Sequence, residues 1–139
     1  MIDRLDIRPN DRVLLLSILE PVVIQKLAAR VSRGLIVSLG DEDEVRAARR
    51  AAADLDNCMY VPAGPDHIPW SDAFFSLAVD LAPRWTNPES AARELARVIA
   101  PGGTLCIGWD WAAGSILSQA GFEQVRREPD LLIVRKTGK

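Results

Sequence analysis

The chain has 139 residues, of which 48% are hydrophobic and 26% are charged, and its formal net charge is −2. This composition is typical of a water-soluble globular protein, and the small net charge excludes the basic surface of a nucleic-acid-binding protein. The longest apolar run is far shorter than the roughly 20 residues that a membrane-spanning helix needs. Because the N-terminus also lacks an apolar signal core, we expect a single cytoplasmic domain over residues 1–139, with neither a nucleic acid nor a membrane as partner.

Two cysteines, Cys58 and Cys106, fall inside apolar runs that are typical of strands. Cysteines outside disulfides are among the most buried residues, and a cytoplasmic protein keeps them reduced, so we expect two buried thiols. A disulfide or a shared metal ion is the alternative.

The stretch from Asp11 to Pro21 sets the fold class. Its run Val13–Leu16 is apolar on both alternating faces, which predicts a central strand of a parallel sheet with helices on both sides. We place strand one at Arg12–Ser17. After a loop, Pro21 opens a helix at the first-turn position, where the missing N–H of proline costs nothing.

The first half of the chain then alternates between helix and strand. Gly34 is expected to end the first helix, and Asp41 with Glu44 forms a capping-box-like pair that opens the second. The predicted elements are a helix from Pro21 to about Ser32, strand two at Leu35–Leu39, a helix to about Leu55 and strand three at Cys58–Val61.

The second half continues this alternation after an irregular segment. Prolines in Pro62–Ser76 argue against a helix there, whereas Pro88 opens one behind an N-cap at Thr86 or Asn87. A sharp turn is expected at residues 101–103, which read Pro-Gly-Gly. The further elements are strand four at Leu77–Leu81, a helix over Pro88–Ile99, strand five at Thr104–Gly108, a short helix over Ala112–Ala120, and strands six and seven at about Glu123–Arg127 and Leu131–Arg135.

This order of elements predicts an α/β fold with a mainly parallel, seven-stranded sheet. The tight turn at Pro129 and Asp130 makes the last two strands an antiparallel C-terminal hairpin. Right-handed crossovers place strand one in the middle of the sheet. The ends of strands one and four then flank the switch point, where a ligand crevice would open.

The order of these elements and their sequence motifs resemble those of a class I S-adenosylmethionine-dependent methyltransferase of the small-molecule type. Asp11–Leu14 looks like the opening of the family's first motif, and Gly34–Arg49 looks like its second strand and helix. Ile68–Asp72 resembles the loop before strand four, Ile99–Leu105 the turn before strand five, and Ala120–Phe122 the start of the last hairpin. The resemblance covers nearly the whole chain and implies a three-layer, Rossmann-like methyltransferase fold.

The first cofactor motif departs from the family pattern. The family has an acid at the end of strand one and then a glycine-rich turn, because the backbone must approach the cofactor and adopt positive φ. Here those positions are Leu15, Ser17, Leu19 and Pro21, and Glu20 is the acid of the loop. A leucine side chain in this turn would point into the space of the cofactor.

Two acidic positions of the family are also displaced. Gly40 stands where the family's ribose-binding acid is expected, with Asp41 one residue later. The acid that contacts the adenine falls at Gly64, with Asp66 two residues later. Asp41 is explained most simply as a helix N-cap.

Because all three cofactor-recognition features are absent or displaced, we expect a non-catalytic binding or interaction module with degenerate motifs and no cofactor. The alternative is an active methyltransferase that binds S-adenosylmethionine in a rebuilt site, completed by dimerisation. Binding of a different nucleotide-like ligand is a third interpretation.

Catalytic candidates are few, and the catalytic residues stay unknown at this point. His67 is the only histidine, and a general base is conceivable there, although a surface loop histidine explains it more simply. The acidic run Asp41–Glu44 is better explained by a helix N-terminus than by a metal site, so we expect no metal.

Four tryptophans follow strands three, four and five, and on the predicted topology they share the carboxyl edge of the sheet: Trp70, Trp85, Trp109 and Trp111. They either fill the space that a missing cofactor leaves, or they form a surface for a protein partner, a second copy of the chain or a small apolar ligand.

Overall fold

A computed structural model describes residues 5–108 and 114–137. Its strands are β1 (Arg12–Leu15), β2 (Leu35–Gly40), β3 (Cys58–Pro62), β4 (Phe75–Asp80), β5 (Ile99–Gly108), β6 (Phe122–Glu128) and β7 (Leu131–Lys136). Its helices are α1 (Pro21–Arg30), α2 (Glu42–Ala51), α3 (Pro88–Val98) and α4 (Gly114–Gln119).

The seven strands form one sheet in the order β3-β2-β1-β4-β5-β7-β6. The first five strands are parallel, and β7 runs antiparallel to both β5 and β6. The predicted α/β fold, with its mainly parallel seven-stranded sheet and antiparallel C-terminal hairpin, is therefore confirmed. Strand β1 lies between β2 and β4, as the right-handed crossovers predict.

Helices cover both faces of the sheet. Val13, Leu14 and Leu15 are at most 1% exposed, so β1 is the predicted central strand with both faces buried. Leu14 belongs to the core under α3 and α4, whereas Val13 and Leu15 join the core under α1. Helix α2 packs beside α1, over Tyr60 of β3.

On the α1 side, the helical layer covers only part of the sheet. Beyond β4 the core on this face is completed by Leu5 and Ile7, which lie in one cluster with Cys106 and Leu131. Among the residues that the structure describes, no helix packs over β5, β7 and β6 on this face.

The expected turn at residues 101–103 lies inside a strand. Phe75 pairs with Ile99 and Leu77 with Thr104, so the ladder continues across an irregularity in β5. Gly102 has a φ of +82°, and a Cβ on Gly103 would lie 2.9 Å from the carbonyl oxygen of Ala100. Glycines therefore allow the chain to bulge here without leaving the sheet, and β4 begins at Phe75 rather than at Leu77.

Gly34 has a different role from the predicted helix end. Helix α1 ends at Arg30 with Val31 as its C-cap, and Gly34 does not have a left-handed backbone. Its backbone instead lies against that of Asp11, and an added Cβ would collide with the Asp11 carbonyl oxygen. The same oxygen accepts a hydrogen bond from the backbone N–H of Leu35 at 3.2 Å.

We therefore expect Gly34→Ala to lower the free energy of unfolding by about 2–3 kcal/mol, since the obstacle is backbone that cannot move alone. Urea unfolding of the purified variant measures this. Gly114→Ala is the matched control, because no atom lies within 4 Å of a Cβ there and alanine is the better helix former. Equal stabilities of the two variants would contradict the close approach.

Candidate functional site

In an open parallel sheet, the ligand crevice lies outside the carboxyl ends of the strands where the strand order reverses. In this sheet the reversal lies between β1 and β4. The backbone N–H of Leu16 donates to the carbonyl of Val79 at 3.1 Å, so the two strands stay paired to their ends. Side chains in the β1–α1 loop and just after β2, β3 and β4 therefore decide what the crevice can hold.

The β1–α1 loop places an aliphatic side chain over the end of β2. A Cβ on Gly40 would lie 2.9 Å from Cγ1 and 3.2 Å from Cδ1 of Ile18. Ile18 therefore covers the position at which the family has its ribose-binding acid. In the same loop Ser17 is half-buried, and Glu20 is exposed and makes no side-chain cap to α1.

Asp41 is the N-cap of α2, as its sequence context predicts. Its Oδ1 accepts from the backbone N–H of Glu44 at 2.8 Å, and Oε1 of Glu44 accepts from the backbone N–H of Asp41 at 3.0 Å. This is a complete capping box, which stabilises a helix by about 1 kcal/mol. Asp41 is the carboxylate nearest in sequence to the ribose position, and it therefore caps α2.

The loop after β3 carries the remaining positions of the predicted cofactor site. Asp66 and His67 are exposed, and the backbone N–H of His67 donates to the Gly64 carbonyl at 3.3 Å. A Cβ on Gly64 would lie 3.3 Å from Oδ1 of Asp66. Within the part of the chain that the structure describes, the His67 imidazole forms no hydrogen bond or ion pair, so no residue there orients it as a base.

Trp85 does lie at the carboxyl end of a strand, but it is a core residue. It is 7% exposed, and its indole N–H donates to Oδ2 of Asp80 at 2.7 Å. Asp80 ends β4 and is itself 3% exposed. Trp85 therefore fills space beside the switch point and partners a buried carboxyl group, which makes it unavailable as an exposed contact.

Asp80 is the ionisable group at the switch point that our sequence analysis missed. Burial raises the pKa of its carboxyl above the ordinary value, and hydrogen bonds from Trp85 and from the backbone of Ala82 only partly oppose this. The signal in the sequence is one acid inside the apolar run Leu77–Leu81. A charged group in such a run must be paired or neutralised.

The raised pKa of Asp80 has a defined effect on stability against pH. The folded state prefers the protonated carboxyl, so its contribution is full below the ordinary pKa of Asp and is lost as pH rises through the folded pKa. We expect wild type to lose stability relative to Asp80→Asn as pH rises from the ordinary pKa of Asp through the raised pKa of the folded state. Urea unfolding of both proteins across this range measures the difference; a constant difference would contradict a buried, titrating Asp80.

Trp70 lies at the opposite edge of the sheet from its predicted place. Its ring packs 5.6 Å from that of Phe74 and 6.0 Å from that of Phe75, which is the first residue of β4. The prediction of a common edge was wrong for Trp70 because β4 is parallel to β3. The chain must return to the amino edge after β3, and it does so before residue 70. Trp109 and Trp111 lie outside the described residues.

Arg97 of α3 holds this returning segment. Its guanidinium donates to the carbonyls of Ile68 and Trp70 at 2.7 and 2.8 Å, and to Asp72 and Glu94 at 2.8 Å each. Glu94 also accepts from the backbone N–H of Ile68 at 2.7 Å. The hydrogen bond from Arg97 holds the pKa of Glu94 below its ordinary value. One side chain thus anchors a loop that has no secondary structure of its own.

The two cysteines lie far apart in the sheet. Cys58 is in β3 and Cys106 in β5, with three strands between them. Strand spacing puts them about 19 Å apart, well beyond the reach of a disulfide or a shared metal ion. Residues 5–108 and 114–137 contain no cluster of three His, Cys, Asp or Glu that could hold a metal ion. None of the helices in these ranges has the length and apolarity to cross a membrane.

Comparisons with solved structures identify the fold. The cyclase SpnF has a TM-score of 0.83 at 14% identity, over 99% of this chain and 79% of SpnF. An S-adenosylmethionine-dependent methyltransferase from Aquifex aeolicus has a TM-score of 0.78 at 18% identity, over 96% of this chain and 85% of that one. The resemblance to class I methyltransferases is thus confirmed at the level of the fold.

A third similar structure contains a complex. It pairs the Trm112 methyltransferase activator of Haloferax volcanii with a protein described as a methyltransferase, and has a TM-score of 0.81 at 14% identity, over 99% of this chain and 87% of that one. No protein-family model and no curated protein matches the sequence. At these identities the likeness establishes the fold and no activity.

Proposed function

We propose that this chain is a non-catalytic binding or interaction module that has the methyltransferase fold and has lost S-adenosylmethionine binding. The observation that carries the proposal is Ile18 packed on Gly40. A cofactor ribose at the end of β2 would need that space and a carboxylate beside it. Here the space holds an aliphatic side chain, and the nearest carboxylate in sequence, Asp41, caps α2.

The two obstacles are independent, and both would have to be removed for the cofactor to bind in the family's manner. Moving Ile18 would expose apolar surface, and freeing Asp41 would cost about 1 kcal/mol of helix capping. Asp66 is exposed, and it would have to contact the adenine although it lies two residues after the position of the family's acid. An active methyltransferase with a rebuilt site, completed by a second subunit, is the competing proposal.

A binding role is compatible with what proteins of this fold do. The Haloferax structure pairs a protein of this fold with an activator protein, which supports a protein partner. We infer that this chain binds a protein partner, a second copy of itself or a small apolar ligand. Of the four tryptophans predicted to form a binding surface, Trp109 and Trp111 remain candidates for this contact, and their role stays a prediction.

Titration with S-adenosylhomocysteine and S-adenosylmethionine tests the proposal. A ligand at 100 times its Kd raises the free energy of unfolding by about 2.7 kcal/mol, which would shift the melting temperature of a domain this size by roughly 10 °C. We expect no shift at millimolar ligand and no change in tryptophan fluorescence. A saturable shift would support the competing proposal, and an active methyltransferase of the same fold serves as positive control.

A further inference from the structure

A cavity lies at the amino edge of the sheet, away from the switch point. It has a volume of about 560 Å³ and is bounded by the starts of β4 and β5 and by the end of β7. Its floor is the apolar sheet face, with Leu77, Cys106 and Ile133. Small-molecule sites in proteins typically have volumes of about 300–1,000 Å³ and mostly apolar walls.

Within the described residues, no helix of the α1-side layer reaches this end of the sheet, and the described residues that line the cavity all lie outside helices. One wall is the glycine bulge at residues 100–103. A Cβ on Gly102 would meet no atom within 4 Å, so the bulge leaves open space rather than filling it. The floor is reachable from solvent mainly at the half-buried Ile133, because Leu77 is 5% and Cys106 1% exposed.

Charged side chains surround this apolar floor: Asp6, Arg8, Asp11, Arg126 and Arg135. Asp11 is already satisfied, since Oδ1 accepts from the Ser76 hydroxyl at 2.8 Å and Oδ2 from the backbone N–H of Arg8 at 2.7 Å. Arg126 forms an ion pair with Glu128 at 2.9 Å.

Two guanidinium groups at the rim have no acidic partner among the residues that the structure describes. The Arg8 and Arg135 side chains form no ion pair within residues 5–108 and 114–137. The Asp6 carboxylate, also at the rim, forms no ion pair within these residues either. Both guanidinium groups therefore have donors available at the rim, while the carboxylate oxygens of Asp11 already accept hydrogen bonds from neutral donors. The planar donor fork of arginine matches a carboxylate with two parallel hydrogen bonds.

We propose that this cavity binds a small amphipathic carboxylate, with its apolar body on the sheet face and its carboxylate held by Arg8 and Arg135. The apolar floor supplies affinity, and the two arginines select the charge of the head group. This inference does not depend on the loss of S-adenosylmethionine binding, because the cavity lies at the opposite edge from the cofactor position.

The test compares octanoate with octylammonium, which has the same chain and the opposite charge. We expect octanoate to bind the full chain saturably with one site per chain by calorimetry, and octylammonium to bind at least tenfold more weakly. In the double variant Arg8→Gln/Arg135→Gln, octanoate affinity should fall roughly fivefold or more, since two charge-assisted contacts are lost. Arg50→Gln, an exposed arginine of α2 outside the cavity, is the matched control and should bind like wild type.

Ile133→Asp places an acid on the floor and should abolish octanoate binding, and the melting temperatures of the free variants establish that they are folded. Absence of saturable octanoate binding would overturn the proposal, as would equal affinity for the two head groups or no effect of the arginine variant. Self-association of wild type that Ile133→Asp removes would also overturn it, by assigning the cavity to a second copy of the chain.

Discussion

Replacing Trp85 by alanine is expected to lower the free energy of unfolding by about 3–5 kcal/mol, which is a large share of the 5–15 kcal/mol that holds a typical domain folded. The indole is 7% exposed inside the core under α3 and α4. Its removal leaves a cavity and takes away the N–H that donates to Asp80. Urea unfolding at neutral pH measures the loss.

Trp85→Phe separates these two contributions. Phenylalanine retains most of the apolar volume but leaves the Asp80 carboxylate without the indole N–H, so we expect a loss of about 1–3 kcal/mol at neutral pH. The loss should shrink at low pH, where Asp80 is protonated. If Trp85→Ala were as stable as wild type, Trp85 would have to be a surface residue, and the tryptophan edge would return as a binding surface.

Replacing Arg97 by methionine is expected to destabilise the protein by about 2–4 kcal/mol. Methionine retains the apolar stem but leaves the carbonyls of Ile68 and Trp70 without their donor. Glu94 loses the partner that lowers its pKa, so its stabilising contribution, present above the ordinary pKa of Glu and lost as pH falls, should disappear.

Arg93→Met is the control for this variant. Arg93 lies one turn earlier on α3 and donates only to the hydroxyl of Ser90, at 3.3 Å on the surface. We expect its effect to stay within about 0.5 kcal/mol. Equal effects of the two substitutions would show that the Arg97 hydrogen bonds do not anchor the returning loop, and the packing of Ile68 and Trp70 would then have to hold it.

Local signals in the sequence were sufficient for most of the fold. The apolar run at β1, the capping box at Asp41 and Pro88 behind its N-cap Asn87 each reflect physics that acts within a few residues. Each predicted strand is present, and the bounds differ by one to a few residues. Gly121, just after α4, has a φ of +104°, a left-handed conformation that favours glycine.

The site was less predictable because its decisive contacts are distant in the chain. Ile18 covers Gly40 from another element, and nothing in the loop sequence indicates which way that side chain packs. Arg97 reaches back 29 residues to the Ile68 carbonyl. The prediction for Trp70 was wrong because its place in the sequence, after β3, was taken to mean that it lies at the carboxyl edge of the sheet. The chain returns to the amino edge before residue 70.

The proposed loss of S-adenosylmethionine binding is compatible with a stable methyltransferase fold. The core under β1 and β4 needs only apolar residues of suitable volume, and Val13, Leu14 and Leu15 meet that need without any cofactor. Cofactor binding needs small residues and free carboxylates at the strand ends. At the end of β2, Ile18 packs on Gly40, and Asp41 caps α2.

Equilibrium dialysis of the purified full chain against radiolabelled S-adenosylmethionine tests the loss of the cofactor most directly. Protein at concentrations from micromolar to near millimolar includes any dimer that could complete a rebuilt site. The account predicts no more retained label than with a non-binding control protein at every concentration. Saturable retention approaching one cofactor per chain, or per dimer at high concentration, would contradict it and would make the site around Ile18 a working cofactor site.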